Sequence, residues 1–243
     1  MLRRLALLLT IACSLLRAQE QHQSFKIQPL RPVPELRAEA LAAKPPLEAG
    51  PFRQPDLVEL VKLDSTIKLD IHYASTNNFM GTPFYSQARA FLQLSAAEAL
   101  VRANATLHQQ GYGLLIFDGY RPWYVTKMFW DGTPVADHLY VANPALGSKH
   151  NRGCAVDLTV YDLRTLQPLD MPSGYDEMSE RAHSDYAGGS AQQNANRALL
   201  RKAMEAEGFE VNPEEWWHFD YKDWRLYPIM NVPFEELGPT AIH

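Results

Sequence analysis

The sequence predicts an α+β fold with one folded unit, and three observations carry that expectation. Short strand-like runs are interspersed with amphipathic helix patterns. Neither a P-loop nor a dinucleotide-binding glycine fingerprint is present, which removes the commonest nucleotide-binding classes. Beyond residue 56 there are no internal repeats or low-complexity tracts. Residues 57–243 are therefore assigned to a single domain whose folded part runs from about Leu57 to Pro239. A chain of 243 residues is long enough to bury one sizeable core without disulfides.

Residues 1–18 read as a secretory signal peptide, with Arg3 and Arg4 followed by an apolar run at residues 5–16 and then Ala18 before a polar stretch. That apolar run is too short to span a bilayer comfortably. A cut before Cys13 would instead make a lipoprotein with a membrane contact, although Thr10 is a poor residue three positions upstream. Cleavage after Ala18 removes Arg3, Arg4 and Arg17 and no acid, so the formal charge falls from −5 to −8. Such a balance argues against nucleic acid or an anionic membrane surface as a partner. Cys154 is the one cysteine left after that cut, and its place in an apolar run predicts a small, buried, inert thiol. Residues 19–56 carry Pro29, Pro32, Pro34, Pro45, Pro46, Pro51 and Pro55, interrupted by a helix-like patch at residues 35–43, and read as an arm or linker.

The folded unit opens with Ile67, Leu69 and Ile71 alternating with polar neighbours, which predicts a half-buried strand ending near Tyr73. Residues 77–85 read as a loop. Ser95 with Glu98 three positions on has capping-box spacing and predicts a helix over residues 96–110, stopped by Gly111. Residues 113–117 form a short buried strand that ends in the Asp118-Gly119 turn. Pro122 then stands where a helix takes its first residue, so Arg121 occupies a strand-to-helix junction. It either faces a site there or is a surface guanidinium paired with Asp118. Residues 192–207 form a second amphipathic helix, with Leu199, Leu200, Ala203 and Met204 inward and Gly208 ending it.

The chemistry concentrates in SKHNRGCAVDLTVYDL, residues 148–163. His150 and Asp157 are an odd seven positions apart, so an unbroken strand would send them to opposite faces. A bend at Arg152-Gly153 lets imidazole and carboxylate converge, and a mixed N and O pair suits zinc. EEWWHFDY, residues 214–221, offers a third donor in His218, with Glu215 three positions earlier. Trp216, Trp217, Phe219 and Tyr221 make this equally an aromatic core strand with an incidental histidine. An acid and a histidine inside so apolar a run are costly to bury without partners.

These two stretches, with DGYRP and LDIHYASTNNFMG, resemble the VanX-type D-alanyl-D-alanine dipeptidases, within the zinc peptidases that include D-alanyl-D-alanine carboxypeptidases and the hedgehog fold. Four ordered motifs between about Leu69 and Tyr221 carry the resemblance. It implies a hedgehog or D,D-peptidase-like domain, with a central, largely antiparallel sheet flanked by helices. It further implies one Zn2+ ion per subunit on His150, Asp157 and His218, with one coordination position left open, as in catalytic sites. Glu215 would be the catalytic base, and Arg121 would stabilise the charge developing on the carbonyl oxygen. Asp176 matches the acid that pairs with the substrate's free ammonium, and Tyr73 and Ser148 match positions lining the dipeptide pocket. Without the resemblance, Asp176 reads equally as an acid capping the turn after Gly174. The segment between Arg121 and Ser148 is expected to border the pocket mouth. Because Glu215 and His218 are three apart yet both must reach the metal region, the backbone is expected to bulge near Trp216-Trp217.

The implied function is zinc-dependent hydrolysis of D-alanyl-D-alanine by an exported, periplasmic enzyme in cell-wall turnover. The alternatives are a D,D-carboxypeptidase acting on longer muropeptides and a non-catalytic zinc-containing binding module. Trp216 directly after Glu215 favours the dipeptidase, since carboxypeptidase relatives usually carry proline there.

Overall fold

The computed structural model describes residues 25–238, so the expected signal peptide at residues 1–18 and the alternative cut at Cys13 lie outside the described residues. In chain order the main elements are α1 (Val33–Ala42), β1 (Leu57–Glu59), β2 (Lys68–Leu69), β3 (Phe91–Gln93), α2 (Leu94–His108), β4 (Tyr112–Asp118), α3 (Trp123–Gly132), β5 (Ala155–Asp162), α4 (Ala191–Ala206), β6 (Phe209–Asn212) and β7 (Glu215–Tyr221). Five strands form one sheet in the order β2-β4-β5-β7-β6. Only the β2–β4 pair is parallel, so the sheet is largely antiparallel, as expected. β1 and β3 make a separate two-stranded antiparallel sheet. Among the described residues no helix is long and apolar enough to cross a membrane.

β5 lies in the middle of the sheet, and all its residues but the last are buried. Val156, Leu158 and Val160 alternate with Ala155, Asp157 and Thr159, so one strand contributes both to the core and to a polar face. α2 packs on β4, and α4 packs on β5, β6 and β7. The inward row of α4 is Asn196, Leu200, Ala203 and Met204, with Leu199 partly buried beside it. Ser190 and Gln193 close a capping box at its start.

Two local expectations fail for identifiable reasons. The capping box at Ser95 does not form: α2 starts at Leu94, directly from β3, and the Leu94 amide is taken by the carbonyl and Oδ1 of Asp56. Ser95 Oγ is left buried without a partner. The strand expected to reach Tyr73 stops at Leu69, because residues His72–Ala74 turn into a 3-10 helix whose Tyr73 carbonyl accepts the amides of Phe84 and Tyr85. Pro122 is the N-cap of α3, one position before the place expected for it. Cys154 is buried and free, and burial pushes its thiol pKa far up, as an inert core cysteine requires.

The proline-rich segment is an arm laid against the domain. Leu36 and Ala40 of α1 are buried against α3, where Gly132 permits close approach: a Cβ there would lie 2.9 Å from Leu36 Cδ1. Main-chain bonds from Ile27 to Phe79, from Leu30 to Gly132 and from Arg53 to Leu226 fasten the arm along its length.

Candidate metal centre

Asp157 of β5 and His218 of β7 are register partners, so their side chains rise side by side from one face of the sheet. On the other flank of β5, Asp157 is paired with Asp118 of β4, next to an irregularity between Ile116 and Asp118. The odd offset to His150 is undone at the expected place. Residues His150–Arg152 form one 3-10 turn, and the chain leaves it through Gly153 at φ +67°. The left-handed backbone at φ +67° favours glycine, and a Cβ there would also push aside Leu57 Cδ2, 2.5 Å away.

His150 Nε2, Asp157 Oδ1 and His218 Nδ1 form a triangle with edges of 3.0, 3.1 and 3.2 Å. Donors around a tetrahedral zinc ion stand about 3.3 Å apart, so the triangle closely matches that geometry. Asp157 Oδ1 is buried and accepts no directed hydrogen bond despite these short distances. The two imidazole nitrogens are within hydrogen-bond distance of each other, while the Asp157 oxygen lies beside both without a directed bond, as a shared ligand would allow. The other atoms of the donors are tied down. His150 Nδ1 donates to the Gly119 carbonyl at 2.7 Å, and the Tyr175 hydroxyl donates to Asp157 Oδ2 at 2.9 Å. His218 Nε2 donates to Asp220 Oδ1 at 2.9 Å, and Asp220 Oδ2 in turn meets Lys149 Nζ at 3.0 Å. Such partners fix the ring tautomer and orientation that a metal ligand needs. These three residues can therefore hold a metal ion.

The electrostatics point the same way. Burial opposes a charge on His218, but Asp220 and Asp157 outweigh it and hold the imidazole up to about 10. Burial likewise opposes ionisation of Asp157, and the two histidines overcome it and hold the carboxyl well below its usual range. An anion between two imidazoles favours a positive charge at this point, which a metal cation could supply in place of the proton.

Glu215 stands beside the triangle, with Oε2 3.7 Å from His218 Nδ1 and accepting a 2.8 Å bond from Asn212 Nδ2. The expected bulge brings it there: Val211 pairs with Phe219, yet the next residue, Asn212, pairs with Glu215. One step on β6 thus spans four on β7, and Trp216, Trp217 and His218 form the irregular stretch. Trp216, Trp217, Phe219 and Tyr221 are all buried, so the strand is an aromatic core and a site wall at once. Burial pushes the Glu215 carboxyl up to about 7, partly offset by His218 and Arg121.

Arg121 combines the two possibilities open for it. It does pair with Asp118, at 2.9 Å from both Nε and Nη2, but it is buried, not on the surface. Its guanidinium lies 4.8 Å from the Phe129 ring centroid and 5.2 Å from that of Tyr73, and Nη2 reaches within 3.5 Å of Asp157 Oδ2. Asp176 is buried at φ +61°, and its Oδ1 accepts the Tyr73 hydroxyl at 2.8 Å while Oδ2 has no partner. Burial pushes this carboxyl well above its usual range. The turn at Gly174 is capped by Glu177 Oε2 instead, so Asp176 is not the turn acid. Ser148 Oγ accepts the His150 amide at 3.2 Å and thereby supports the turn that carries His150.

All eight residues selected from the sequence (Tyr73, Arg121, Ser148, His150, Asp157, Asp176, Glu215 and His218) line one cavity of about 230 Å³. Leu139, Tyr140, Val141 and Ala142 add part of its wall, which puts the segment between Arg121 and Ser148 at the cavity as expected. Asp220, Tyr175 and Asn212 escaped the sequence reading. Asp220 was within reach of it, since two positions from His218 on a strand means the same face.

A family model described as D-ala-D-ala dipeptidase matches residues 53–235. The D-alanyl-D-alanine dipeptidase of Escherichia coli (strain K12) is 35% identical over 179 residues, covering 74% of this chain and 91% of that protein. That of Enterococcus faecium is 36% identical over 178 residues, covering 65% and 87% respectively. Among solved structures, the LdcB LD-carboxypeptidase is similar at a TM-score of 0.39 and 17% identity, over 73% of this chain and 74% of that one. With most of the folded domain matched, the chain belongs to the D-ala-D-ala dipeptidase family of peptidases.

Proposed function

We propose that this protein is an exported zinc dipeptidase, with one zinc ion per subunit, that hydrolyses D-alanyl-D-alanine in cell-wall peptide turnover. The observation that carries the reading is a single cavity of about 230 Å³ holding both the donor triangle and the unpartnered Asp176 Oδ2. Pockets for drug-sized ligands measure roughly 300–1,000 Å³, so this one suits something smaller, and a dipeptide answers to that size. A buried carboxylate in the same space rewards a free ammonium and penalises a chain extended beyond it. The names of the relatives agree with that substrate. Export rests on the arginine, apolar and small-residue order of residues 1–18.

His150, Asp157 and His218 would hold the zinc ion, which when bound would supply electrophilic polarisation of a carbonyl and acidification of water. Glu215 accepts the proton of the attacking water and returns it to the departing amine. Burial pushes the Glu215 carboxyl up to about 7, and His218 and Arg121 offset part of that effect, which leaves it able to accept a proton near neutral pH. Arg121, held by Asp118, faces the negative charge that develops on the carbonyl oxygen. Asp176, held by Tyr73, takes the substrate ammonium, and Ser148 keeps the His150 turn in place.

The test is hydrolysis of D-Ala-D-Ala, its N-acetyl derivative, L-Ala-L-Ala and a D-Ala-D-Ala-ending tripeptide by the zinc-loaded protein. Rapid cleavage of free D-Ala-D-Ala alone is the expected result. Cleavage of the tripeptide alone would replace the reading by a D,D-carboxypeptidase. Hydrolysis of none would leave a zinc-containing binding module.

A further inference from the structure

We propose that Glu48, in the proline-rich arm, is a positioning residue for His150, which makes the arm part of the metal site's framework. The proposal rests on the metal reading of the donor triangle and adds a residue from outside residues 53–235, the stretch matched by the family.

Arg152 closes the single turn that His150 opens. Its side chain is only 9% exposed, and its guanidinium pairs with Glu48: Nη2 donates to Oε1, and Nη1 lies 3.4 Å from Oε2. Nη1 also donates to the Tyr227 carbonyl at 2.6 Å. The same Glu48 carboxylate accepts the Ile229 amide at 2.7 Å through Oε2. Ile229 and Met230 lie against the turn from the other side. The Met230 amide donates to the Asn151 carbonyl at 2.9 Å, and Gly147 leaves room for Ile229, whose Cδ1 would stand 2.3 Å from a Cβ there. One arm carboxylate thus grips the His150–Arg152 turn at its end through Arg152 and at its middle through residues 229–230. Without it, Arg152 keeps only the Tyr227 carbonyl and the Trp224 ring as partners for its nearly buried charge, and such a cation moves toward solvent, taking the turn with it. Asp157 and His218 have no such dependence, because the sheet register holds them.

The experiment uses the full chain with Glu48→Gln, which keeps an acceptor for Ile229 but loses the charge, and Glu48→Ala, which loses both. The zinc dissociation constant is measured by competition with a chromophoric chelator, and the visible spectrum is recorded with cobalt(II) in place of zinc. Leu107→Ala serves as a control for general destabilisation: Leu107 is fully buried but lies near the opposite end of α2 from β3, about 20 Å along the helix. The dissociation constant should rise about 10-fold in Glu48→Ala, as for loss of a partner that orients a ligand, and by a smaller factor in Glu48→Gln. The cobalt spectrum should change in both, while Leu107→Ala keeps wild-type zinc affinity. Wild-type affinity and spectrum in both Glu48 variants would overturn the proposal, and so would an equal loss in Leu107→Ala. Failure of the metal reading itself shows separately, as absence of zinc binding in the unaltered protein or as undiminished binding in His150→Ala.

Discussion

Two of the three candidate metal donors are placed by a sheet and the third by a turn. Asp157 and His218 sit opposite each other in a ladder that continues through Asp118 on the next strand, so neighbouring backbone pairs fix their spacing. His150 depends on particular side chains and on one glycine: Gln93 Nε2 donates to the Arg152 carbonyl at 2.7 Å, the Gln93 amide takes the Gly153 carbonyl at 2.8 Å, and Gly153 makes the left-handed exit. Placement by register is shared among many bonds and fails only with the strand pair. Placement by a turn is local, and single substitutions outside the donor set can degrade it.

The largest effect separates the donors from their supports. Replacement of His150, Asp157 or His218 by Ala removes one of three donors, and zinc affinity should fall by more than the roughly 10–100-fold typical of supporting residues. Metal analysis after dialysis checks this, and full occupancy in all three variants would end the metal assignment. The contrast between ladder and turn appears next, in Gly153→Ala. Strain at φ +67° and the contact with Leu57 should cost about 1–3 kcal/mol, and zinc should bind about 10-fold more weakly as the turn shifts. Thermal melting and chelator competition measure the two effects, and unchanged zinc affinity would show that the turn tolerates more than its geometry suggests.

The smallest effect concerns the β1–β3 sheet, which carries Gln93. Arg89 holds the Glu59 carboxyl below its usual range through hydrogen bonds at 2.8 and 3.0 Å, against an opposing effect of burial. A depressed folded-state pKa contributes stability that is fully present above the unfolded value, about 4.3, and is lost as pH falls through the folded value. Glu59→Gln should therefore lower the melting temperature by about 3 °C at pH 7, and the difference should shrink below pH 4. An undiminished difference at low pH would show that packing, not charge, accounts for it.

The site was legible in the sequence to the extent that its logic is local. The Arg-Gly bend followed from the odd offset between His150 and Asp157, and the β7 bulge followed from the three-residue spacing of Glu215 and His218. What remained hidden was set by distant contacts. Nothing near Ser95 indicates that Asp56 takes over the start of α2, and no local pattern shows that the strand after Ile67 must give way to a turn holding Tyr73 against the cavity. Asp176 and Glu177 are neighbours with the same charge, and only the fold assigns one to the cavity and the other to the Gly174 turn. The arm's prolines marked it as extended, but its bonds to Arg152 and Phe79 arise from packing between segments far apart in the chain.

The central claim is that three residues hold the metal while Glu215, next to them, moves the proton. Glu215→Gln keeps the side chain's size and its ability to hydrogen-bond, but it cannot act as base. Zinc content measured beside D-Ala-D-Ala turnover tests the claim most directly. The account predicts one zinc ion per chain, as in the unaltered protein, with turnover lowered by a factor on the order of 100 or more. Near-normal turnover would contradict the role of Glu215 as base, and loss of zinc would make it a fourth ligand.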